Sequence, residues 1–512
     1  MDVTSLMRRA ANSFADREAA KHGSRKLTFA EAWERGCRLA NYLYERGLVR
    51  GDRVAVLEDN CLEAVDSFLG IAIAGMVRVP LYARNSAEGH AYMLNNIDCK
   101  GIIVSEALAN ELESVKSRVS SLETILIRDA KYPRVLAEQS ALDPMIELNP
   151  NDYYIIRHTG GTTGKPKGVA YTHWKWLAAA RDWFYPHPPV LPGDSCLHVA
   201  PISHASGYWF TPVWLAGGRN VMLEKFDPKT TLDVLESERI AYFLTVPTLM
   251  AALVEEPTAK KRDWSALKCL NLGSAPASDT TILRARDTFG DVLVNAYGAT
   301  ECVPLTSMGP EEWFANIEGS NPLRSCGRVH PFARVEIRDE NNNPLPVGEV
   351  GQIAGRVDGQ MTGYWNNPEA TAERLIDGWI LMGDIGYLDS NGFLYLMDRA
   401  DDMIVSGGFN IYPLELENVI YSHHSVREVA VFGVPHQKWG EAPMAIVVLR
   451  PGCLATEDEI IQLCASKLGS YKKPYKVIFS SDALPKTVAG KLSRKTLREP
   501  YWEGKTERIG RA

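Results

Sequence analysis

The chain has 512 residues, which at roughly 150 residues per domain predicts about three folding units or two large ones and excludes a single small binding module. Lys and Arg number 56 and Asp and Glu number 63, so the net charge of −7 argues against nucleic acid or an anionic membrane surface as the main partner. The longest apolar stretch, residues 68–77, is about half of the roughly twenty residues that span a bilayer, so no transmembrane helix is expected.

The N-terminus predicts an amphipathic helix of the mature protein, because Arg8 and Arg9 interrupt the apolar core that a signal peptide requires. The 9 cysteines are odd in number and widely spaced, and they show no metal-ligand spacing. We therefore expect reduced thiols and a cytoplasmic protein.

Short β-branched runs alternate with helix-like stretches from the first third of the chain onward. Residues 53–57 and 77–81 predict strands, and residues 62–75 predict the helix between them. This βαβ pattern implies a parallel sheet covered by helices, so the expected fold class is α/β with a large N-terminal domain of several subdomains. Further strands are predicted at residues 101–105, 124–127, 194–199, 220–223, 242–246 and 269–272.

After residue 327 the pattern changes to short strands separated by turn signals, which predicts a β-rich subdomain over about residues 327–397. Beyond Met403 the sequence returns to a mixture of helices and strands, with a helix predicted at residues 457–468. We predict an N-terminal domain over residues 1–400 and a compact α+β C-terminal domain over residues 401–512.

The segment TGGTTGKPKG, Thr159 to Gly168, follows a predicted strand at residues 153–156 and carries the clearest chemical signal. Its glycines let backbone amides turn toward an anion, while threonine hydroxyls and lysines add donors and positive charge. This predicts a phosphate-binding loop, although the Ser or Thr that follows Gly-Lys in a Walker loop is missing. Taken alone, the segment could also be a solvated basic turn. The residues expected to contact phosphates are Thr159, Gly160, Gly161, Thr162, Thr163, Gly164, Lys165 and Lys167.

Other polar segments are weak signals when each is read alone. Residues 297–301, YGATE, follow a strand predicted at residues 292–294 and are typical of a strand that runs into a loop. The acidic residues in segments 383–384 and 398–402 are typical of solvated turns.

Together and in this order, these segments resemble the adenylate-forming superfamily of acyl-CoA synthetases, aryl-CoA ligases, luciferases and peptide-synthetase adenylation domains. The resemblance covers the chain from about Leu27 to Arg494. It implies the family fold, with a small mobile C-terminal domain, and the activity of an AMP-forming ligase. The motifs that carry it are TGGTTGKPKGV, YGATE, GYW, GWILMGD, DRADDMIVSGGFNIYPLELE and PKTVAGKLSR.

The resemblance implies a role in ATP binding and adenylation for each matching residue. Glu301 is expected to hold Mg²⁺, Thr300 to contact the α-phosphate, and Lys491 to bridge the substrate carboxylate and the α-phosphate. Asp384 is expected to accept both ribose hydroxyls, for which a carboxylate is well suited, with Arg399 beside it. The expected adenine-side residues are Tyr297, Gly298, Gly273, Ser274, Ala275 and Pro276.

The resemblance also implies a second half-reaction. Asp401 matches the hinge about which the C-terminal domain rotates after adenylation. Gly408 is then expected to line a tunnel for the second nucleophile, and Trp439 and Lys473 are expected to meet coenzyme A. The sequence departs from most relatives at Asp398, where the family commonly carries glycine before the arginine.

The acyl pocket is expected between the segment around His204 and the loop 296–302. His204 is expected to gate this pocket rather than act as a base, because a carboxylic acid is already ionised at pH 7. The mixture of aromatic and small residues favours an aryl, arylpropenoic, alicyclic or medium-chain acid. The expected lining residues are Phe184, His204, Ala205, Tyr208, Ala296, Ala299 and Cys302.

The acceptor of the acyl group has two candidates. Coenzyme A is favoured by the hinge, the tunnel loop and the lysines at 472–473, whereas an amine would make the protein an amide ligase. A nucleotide-binding relative without catalysis is a third hypothesis, against which the presence of Lys491 and Glu301 argues. The expected partners are thus a carboxylic acid, ATP, Mg²⁺ and coenzyme A or an amine, with no nucleic acid and no membrane, in a monomer or homodimer.

Overall fold

The computed structural model describes residues 1–83, 85–159, 165–273, 275, 277–399, 402–406, 409–469, 471–486 and 492–503, with only the backbone of Glu111. Several residues singled out by the sequence lie outside this description. They are Gly160, Gly161, Thr162, Thr163, Gly164, Ser274, Pro276, Asp401, Gly408 and Lys491.

Helices alternate with strands along the chain. The described α-helices are α1 (Val3–Ser13), α2 (Phe29–Glu45), α3 (Ala64–Ile73), α4 (Ala87–Asn96), α5 (Ala109–Lys116), α6 (Tyr132–Ala137), α7 (His173–Phe184), α8 (Phe210–Leu215), α9 (Pro228–Ser237), α10 (Pro247–Glu255), α11 (Asp279–Phe289), α12 (Pro310–Trp313), α13 (Pro368–Arg374), α14 (Pro413–Tyr421), α15 (Glu457–Leu468) and α16 (Arg494–Trp502).

The strands are short and distributed along the whole chain. They are β1 (Glu18–His22), β2 (Arg25–Thr28), β3 (Arg53–Leu57), β4 (Val77–Pro80), β5 (Gly101–Ser105), β6 (Thr124–Arg128), β7 (Tyr153–His158), β8 (Gly168–Thr172), β9 (Ser195–His198), β10 (Arg219–Met222), β11 (Ile240–Thr245), β12 (Cys269–Gly273), β13 (Leu293–Ala299), β14 (Cys302–Met308), β15 (Arg328–Val329), β16 (Ala333–Arg338), β17 (Gly351–Val357), β18 (Gly363–Tyr364), β19 (Leu375–Ile376), β20 (Trp379–Leu388), β21 (Leu394–Arg399), β22 (Ile404–Ser406), β23 (Phe409–Ile411), β24 (Val426–His436), β25 (Gly440–Leu449) and β26 (Lys476–Ser480).

Two large sheets form the body of the molecule. The first has the strand order β15-β14-β13-β12-β11-β9-β10-β1-β2, with parallel pairing from β13 through to β1. The second has the order β18-β8-β7-β4-β3-β5-β6, with parallel pairing from β7 to β6. The expected α/β fold class with parallel sheets is therefore confirmed, with antiparallel strands confined to the edges.

Two smaller sheets follow along the chain. Strands β16, β17, β20, β19 and β21 pair antiparallel in the segment where short strands were predicted. Strands β22 to β26 form the last sheet, in which β24 and β25 make a long antiparallel pair.

The two large sheets are joined by the buried side chain of Asn60, which follows β3. Its Nδ2 lies 3.0–3.1 Å from the carbonyl oxygens of His198, Ala200 and Leu223, and its Oδ1 accepts from the amide of Ile202 at 2.8 Å. These partners follow or end β9 and β10 of the other sheet. The carboxyl ends of parallel strands from both sheets are thereby held against each other, which is where α/β folds place their sites.

Several predicted elements match the structure to the residue, including the strands at 53–57 and 101–105 and the helix at 457–468. The strand expected to end at Val294 continues to Ala299, because it pairs with β14 as a hairpin. The YGA of the YGATE segment thus lies within a strand. Among the described helices we find none whose length and apolar content would suffice for a membrane span.

Candidate active site

The glycine-rich segment connects the antiparallel strands β7 and β8. At its base, the amide of Thr159 donates to the carbonyl oxygen of Lys167 at 3.0 Å, and the amide of Lys167 donates to Thr159 Oγ1 at 3.2 Å. Lys165 Nζ lies 5.2 Å from the centre of the Tyr92 ring, and Lys167 Nζ lies 5.0 Å from that of Tyr364. Both lysines therefore lie at the C-terminal end of the segment expected to bind phosphates.

Glu301 lies at the turn between β13 and β14, and its carboxylate is buried. The hydroxyl of Tyr364 donates to Glu301 Oε1 at 2.7 Å, and the backbone oxygen of Glu301 accepts from the amide of Met361 at 2.8 Å. The hydroxyl of Tyr171 donates to the backbone oxygen of the preceding Thr300 at 2.5 Å. These hydrogen bonds thus hold the side chain of Glu301 and the backbone of Thr300 and Glu301.

This turn requires a glycine at position 298. A Cβ atom placed on Gly298 would lie 2.8 Å from the backbone oxygen of Cys302, closer than any side chain could stand. The two strands therefore approach each other closely just before the turn that carries Thr300 and Glu301.

A single buried carboxylate suits Mg²⁺ that is shared with a nucleotide. Within the described residues there is no cluster of three or more His, Cys, Asp or Glu that could hold a metal ion by itself. Because Mg²⁺ in phosphate-transferring sites commonly takes one or two carboxylates with the remaining ligands from phosphates and water, Glu301 fits such an ion only together with a bound phosphate.

Asp384 lies in β20, and its neighbours come from two other strands. The Tyr297 hydroxyl donates to Asp384 Oδ2 at 2.6 Å, and Arg399 Nε lies 3.7 Å from Asp384 Oδ1. Burial, together with the charge of Asp384, raises the pKa of Tyr297 well above its usual value, so this phenol remains a donor. Of the predicted adenine-side loop, Gly273 ends the neighbouring strand β12 and Ala275 is exposed.

His204 is held by Tyr82 from the opposite sheet. The Tyr82 hydroxyl lies 2.9 Å from His204 Nδ1 and 3.2 Å from the backbone oxygen of His158, the residue before Thr159. Burial raises the pKa of Tyr82 to about 12 and lowers that of His158 to about 4. The predicted gate and the phosphate loop are therefore connected through one phenol.

Apart from His204, the residues expected to line the acyl pocket belong to one hydrophobic cluster. Tyr208, Ala296 and Cys302 are buried in it, and partly buried residues pack against it. The ring centre of Phe184 lies 5.2 Å from that of Trp209. The partly buried members are Phe184, Ala205 and Ala299.

Comparison with known proteins decides the family. A family model described as "AMP-binding enzyme" matches residues 7–365, and one described as "AMP-binding enzyme C-terminal domain" matches residues 415–491. This chain belongs to the AMP-binding enzyme family. The resemblance found in the sequence is thereby confirmed.

Individual members of the AMP-binding family are similar over nearly the whole chain. The medium/long-chain-fatty-acid–CoA ligase FadD8 of Mycobacterium tuberculosis is 33% identical, over 95% of this chain and 88% of its own. A feruloyl-CoA synthase of Amycolatopsis sp. is 33% identical, over 94% of this chain and 96% of its own. The structure of amide bond synthetase McbA from Marinactinospora thermotolerans superposes with a TM-score of 0.88 at 28% identity, covering 98% of this chain and 100% of that one.

In the second matched region, exposed aromatic residues lie beside lysines. Trp439 is 41% exposed and its ring stacks on His436 at 4.3 Å, while Tyr475 meets His436 edge-on at 4.9 Å. Lys473 is partly buried, and Lys472 Nζ is already paired with Glu415 Oε2 at 2.6 Å. Of the two lysines at 472–473, the structure therefore gives Lys472 a carboxylate partner.

Asp398, the departure from the AMP-binding family noted in the sequence, is buried. Arg494 of α16 contacts Asp398 Oδ1 at 3.2 Å, Asp402 Oδ2 at 3.1 Å and Glu417 Oε2 at 2.6 Å. The amide of Leu414 donates to Asp398 Oδ2 at 2.9 Å. Three carboxylates on both sides of the predicted hinge thus share one guanidinium.

Sequence reasoning missed the residues that hold the predicted ones. Tyr364 lies in the GYW motif, for which the resemblance implies no specific role, and Tyr171 lies in β8 outside every motif. Tyr82 is 122 residues from His204 in the chain, so no local pattern connects them.

Proposed function

We propose that this AMP-binding enzyme activates a carboxylic acid with ATP and transfers the acyl group to coenzyme A. In the first half-reaction, a carboxylate oxygen attacks the α-phosphorus and pyrophosphate leaves, which gives an acyl-adenylate. In the second, the thiol of coenzyme A attacks the acyl carbon, its proton is released, and AMP leaves to give the thioester.

The observation that carries this proposal is that two sets of polar side chains are held beside the hairpin β13–β14. Asp384 with Tyr297 and Arg399 forms an acceptor site suited to the ribose hydroxyls. Glu301 with Tyr364 forms a fixed carboxylate suited to Mg²⁺ on the phosphates. Both sets flank the hairpin β13–β14, so a nucleotide bound between them would present its α-phosphate near Thr300.

The chemistry of the first step is limited by repulsion between the carboxylate and the phosphates. Positive charge must therefore be placed where negative charge accumulates, and Lys165, Lys167, Lys491 and a Mg²⁺ ion on Glu301 would supply it. No general base is required, because the acid is ionised at neutral pH. His204, held by Tyr82, is assigned to shape the pocket.

The pocket supports an acid with an aryl, arylpropenoic, alicyclic or medium-chain group. The hydrophobic cluster that contains the expected lining residues combines the aromatic residues Phe184 and Tyr208 with small residues at 205, 296 and 299. The similar proteins named for fatty acids and for ferulic acid fall within or next to this range.

Coenzyme A is the proposed acceptor of the acyl group. We propose that it binds at the region matched by the C-terminal family model. We assign the domain boundary to Asp401, between residues 1–400 and 401–512, and the coenzyme face to Trp439, Lys473 and the segment containing Gly408. An exposed aromatic ring and lysines suit a nucleotide with phosphate groups.

The test is to incubate the protein with ATP, Mg²⁺ and single acids of these classes, with coenzyme A or with simple amines, and to identify products by mass spectrometry. We expect pyrophosphate release that depends on the acid, and a thioester with coenzyme A. Amide formation that ignores coenzyme A would overturn the assigned acceptor, a possibility raised by the similarity to an amide bond synthetase. Acid-independent release of pyrophosphate, or none, would overturn the proposed function itself.

A further inference from the structure

Arg157 is a buried arginine that forms no ion pair with any residue the structure describes. It lies in β7, two residues before Thr159, and is 4% exposed. Its guanidinium carbon lies 4.1 Å from the ring centre of Tyr208 and 5.8 Å from that of Trp176. Within the described part of the chain, the structure gives Arg157 ring contacts but neither an ion pair nor a side-chain hydrogen bond.

Two more donors near Arg157 lack an acceptor. The Tyr208 hydroxyl and Trp183 Nε1 are buried without a hydrogen-bond partner in the described structure, and their rings are 6.2 Å apart. Glu301 is the carboxylate whose charge reaches Tyr208, but its Oε1 already accepts from Tyr364. The Tyr208 ring therefore lies among donors for which the described structure shows no acceptor.

Such an arrangement disfavours folding. A guanidinium removed from water loses its hydration, and stacking on aromatic rings recovers only part of that loss. A buried phenol and a buried indole that lack acceptors each lose a hydrogen bond to water. An apolar side chain at position 157 would avoid the largest of these costs, so the arginine points to a role that requires an acceptor from outside the chain.

We propose that Arg157, Tyr208 and Trp183 form a subsite that binds a second oxygen acceptor, a carboxylate or carbonyl, on the acyl part of the substrate acid. This inference rests on the proposed acid activation and narrows its substrate class. A plain hydrocarbon acid would leave the three donors unpaired, whereas an acid with such a group would pair them.

The reacting carboxylate cannot serve all three donors. It must lie at the α-phosphate, next to Thr300, whose backbone is bound by Tyr171, and Tyr171 packs on Trp176 at 5.7 Å. Trp183 follows Trp176 by two turns of α7, which is about 10 Å along the helix. The donors therefore extend from the reacting end along the acyl pocket, where the body of the acid would lie.

The experiment compares matched acids in acid-dependent exchange of labelled pyrophosphate into ATP. One set is hexanoate, 5-oxohexanoate and hexanedioate, and another is benzoate, 3-acetylbenzoate and isophthalate. We expect the unsubstituted enzyme to activate a substituted acid of at least one set with kcat/KM about tenfold or more above its plain partner. Arg157→Met should bring that ratio close to one, while activity with the plain acid is retained.

Further variants separate recognition from packing. Arg157→Lys should keep part of the preference for the diacid, because the charge remains without the planar fork. Tyr208→Phe should lower the same ratio by a smaller factor. Arg157→Met should also raise the thermal midpoint of the protein without ligands, since it removes a buried charge that has no ion pair among the described residues. Arg134→Met, on a side chain that is 84% exposed, should change neither the ratio nor the midpoint.

Three outcomes would overturn the subsite. The unsubstituted enzyme could favour the plain acids in both sets, Arg157→Met could slow plain and substituted acids by equal factors, or Arg157→Met could lower the thermal midpoint without changing the ratio. Failure of every acid to support exchange in the unsubstituted enzyme would instead refute the proposed function.

Discussion

The hydroxyl of Tyr297 donates a hydrogen bond to Asp384 Oδ2 over 2.6 Å and thereby joins strand β13 of the nine-stranded sheet to strand β20 of the neighbouring antiparallel sheet. The other carboxylate oxygen, Oδ1, faces Arg399 at 3.7 Å. Asp384 is 9% exposed, so the carboxylate is nearly enclosed and has its orientation fixed from two sides. A fixed acceptor of this kind can distinguish a ribose from a deoxyribose.

Asp384→Asn is expected to weaken ATP binding through the ribose. A charged hydrogen bond contributes about 1.5–3 kcal/mol, so KM for ATP should rise about 10- to 100-fold, with KM for the acid little changed. The sharper measurement compares ATP with its 2′-deoxy and 3′-deoxy analogues. The unsubstituted enzyme should lose efficiency with each analogue, and the variant should lose less, because its ribose acceptor is already impaired.

Tyr297→Phe is the matched control for that experiment. It removes the donor to Asp384 and keeps the carboxylate, so discrimination against the deoxy analogues should persist. If Asp384→Asn discriminates against both analogues as strongly as the unsubstituted enzyme does, Asp384 does not bind the ribose.

Tyr364→Phe is expected to impair the use of Mg²⁺. The phenol holds Glu301 Oε1 at 2.7 Å, and its loss would let a buried carboxylate rotate away from the position it needs. Residues that orient a metal ligand commonly contribute about 10- to 100-fold to metal affinity or activity. The measurement is the Mg²⁺ concentration at half-maximal adenylation, which should rise in this variant.

Tyr387→Phe provides a comparison for Tyr364→Phe, because Tyr387 stacks on Tyr395 in the antiparallel sheet at 4.8 Å and has no part in the proposed site. It should leave the Mg²⁺ dependence unchanged. An identical Mg²⁺ response in all three proteins would show that Tyr364 does not position the metal ligand.

The sequence predicted elements well where strong local signals bound them. Helix α15 was placed to the residue, because Thr456 and Glu459 form a reciprocal capping box at its start and Gly469 follows its end. Strand β13 was predicted too short, because its extension depends on pairing with β14, and pairing between strands has no signature within one of them.

The candidate site was predicted from motifs alone. Asp384 and Arg399 were assigned to the ribose from separate motifs, and the structure pairs them across β20 and β21. The sequence analysis assigns no role to Asn60 or Tyr82, because Asn60 contacts His198 and Tyr82 contacts His204 across more than 100 residues of chain. Arg157 has a detectable signal in the sequence, because it is a charged residue in a strand that is otherwise aromatic and aliphatic up to His158.

The carboxyl group of Asp398 is expected to make stability depend on pH. Burial raises the pKa of Asp398 from 3.8 to about 6. Arg494 opposes this shift, but Glu417 and Asp402 share the same guanidinium and their negative charges reinforce the shift. Between these values the folded protein binds more protons than the unfolded chain. The stabilisation that Asp398 contributes is thus present below pH 4 and is lost as pH rises to about 6. The free energy of unfolding should fall by about 3 kcal/mol over this range.

The comparison of the parent protein with Asp398→Asn isolates this effect. The variant loses hydrogen bonds and should be less stable throughout, but the stability advantage of the parent should shrink between pH 4 and pH 7. His158, whose pKa is lowered to about 4 by burial, acts in the opposite direction and cancels because it is present in both proteins. Thermal midpoints that run parallel over this range would contradict the prediction.

Lys491→Ala and Asp401→Pro are expected to affect opposite halves of the reaction. Lys491 is proposed to neutralise charge at the α-phosphate, so its removal should slow adenylation by about 10²- to 10³-fold while leaving thioester formation from a synthetic acyl-adenylate intact.

Asp401→Pro should restrict the backbone rotation at the hinge, so adenylation should persist and transfer to coenzyme A should fail. Both half-reactions are measured on each variant by single-turnover assays. If Lys491→Ala damages both steps equally, the lysine does not act on adenylation alone, and if Asp401→Pro transfers the acyl group normally, rotation does not take place at that residue.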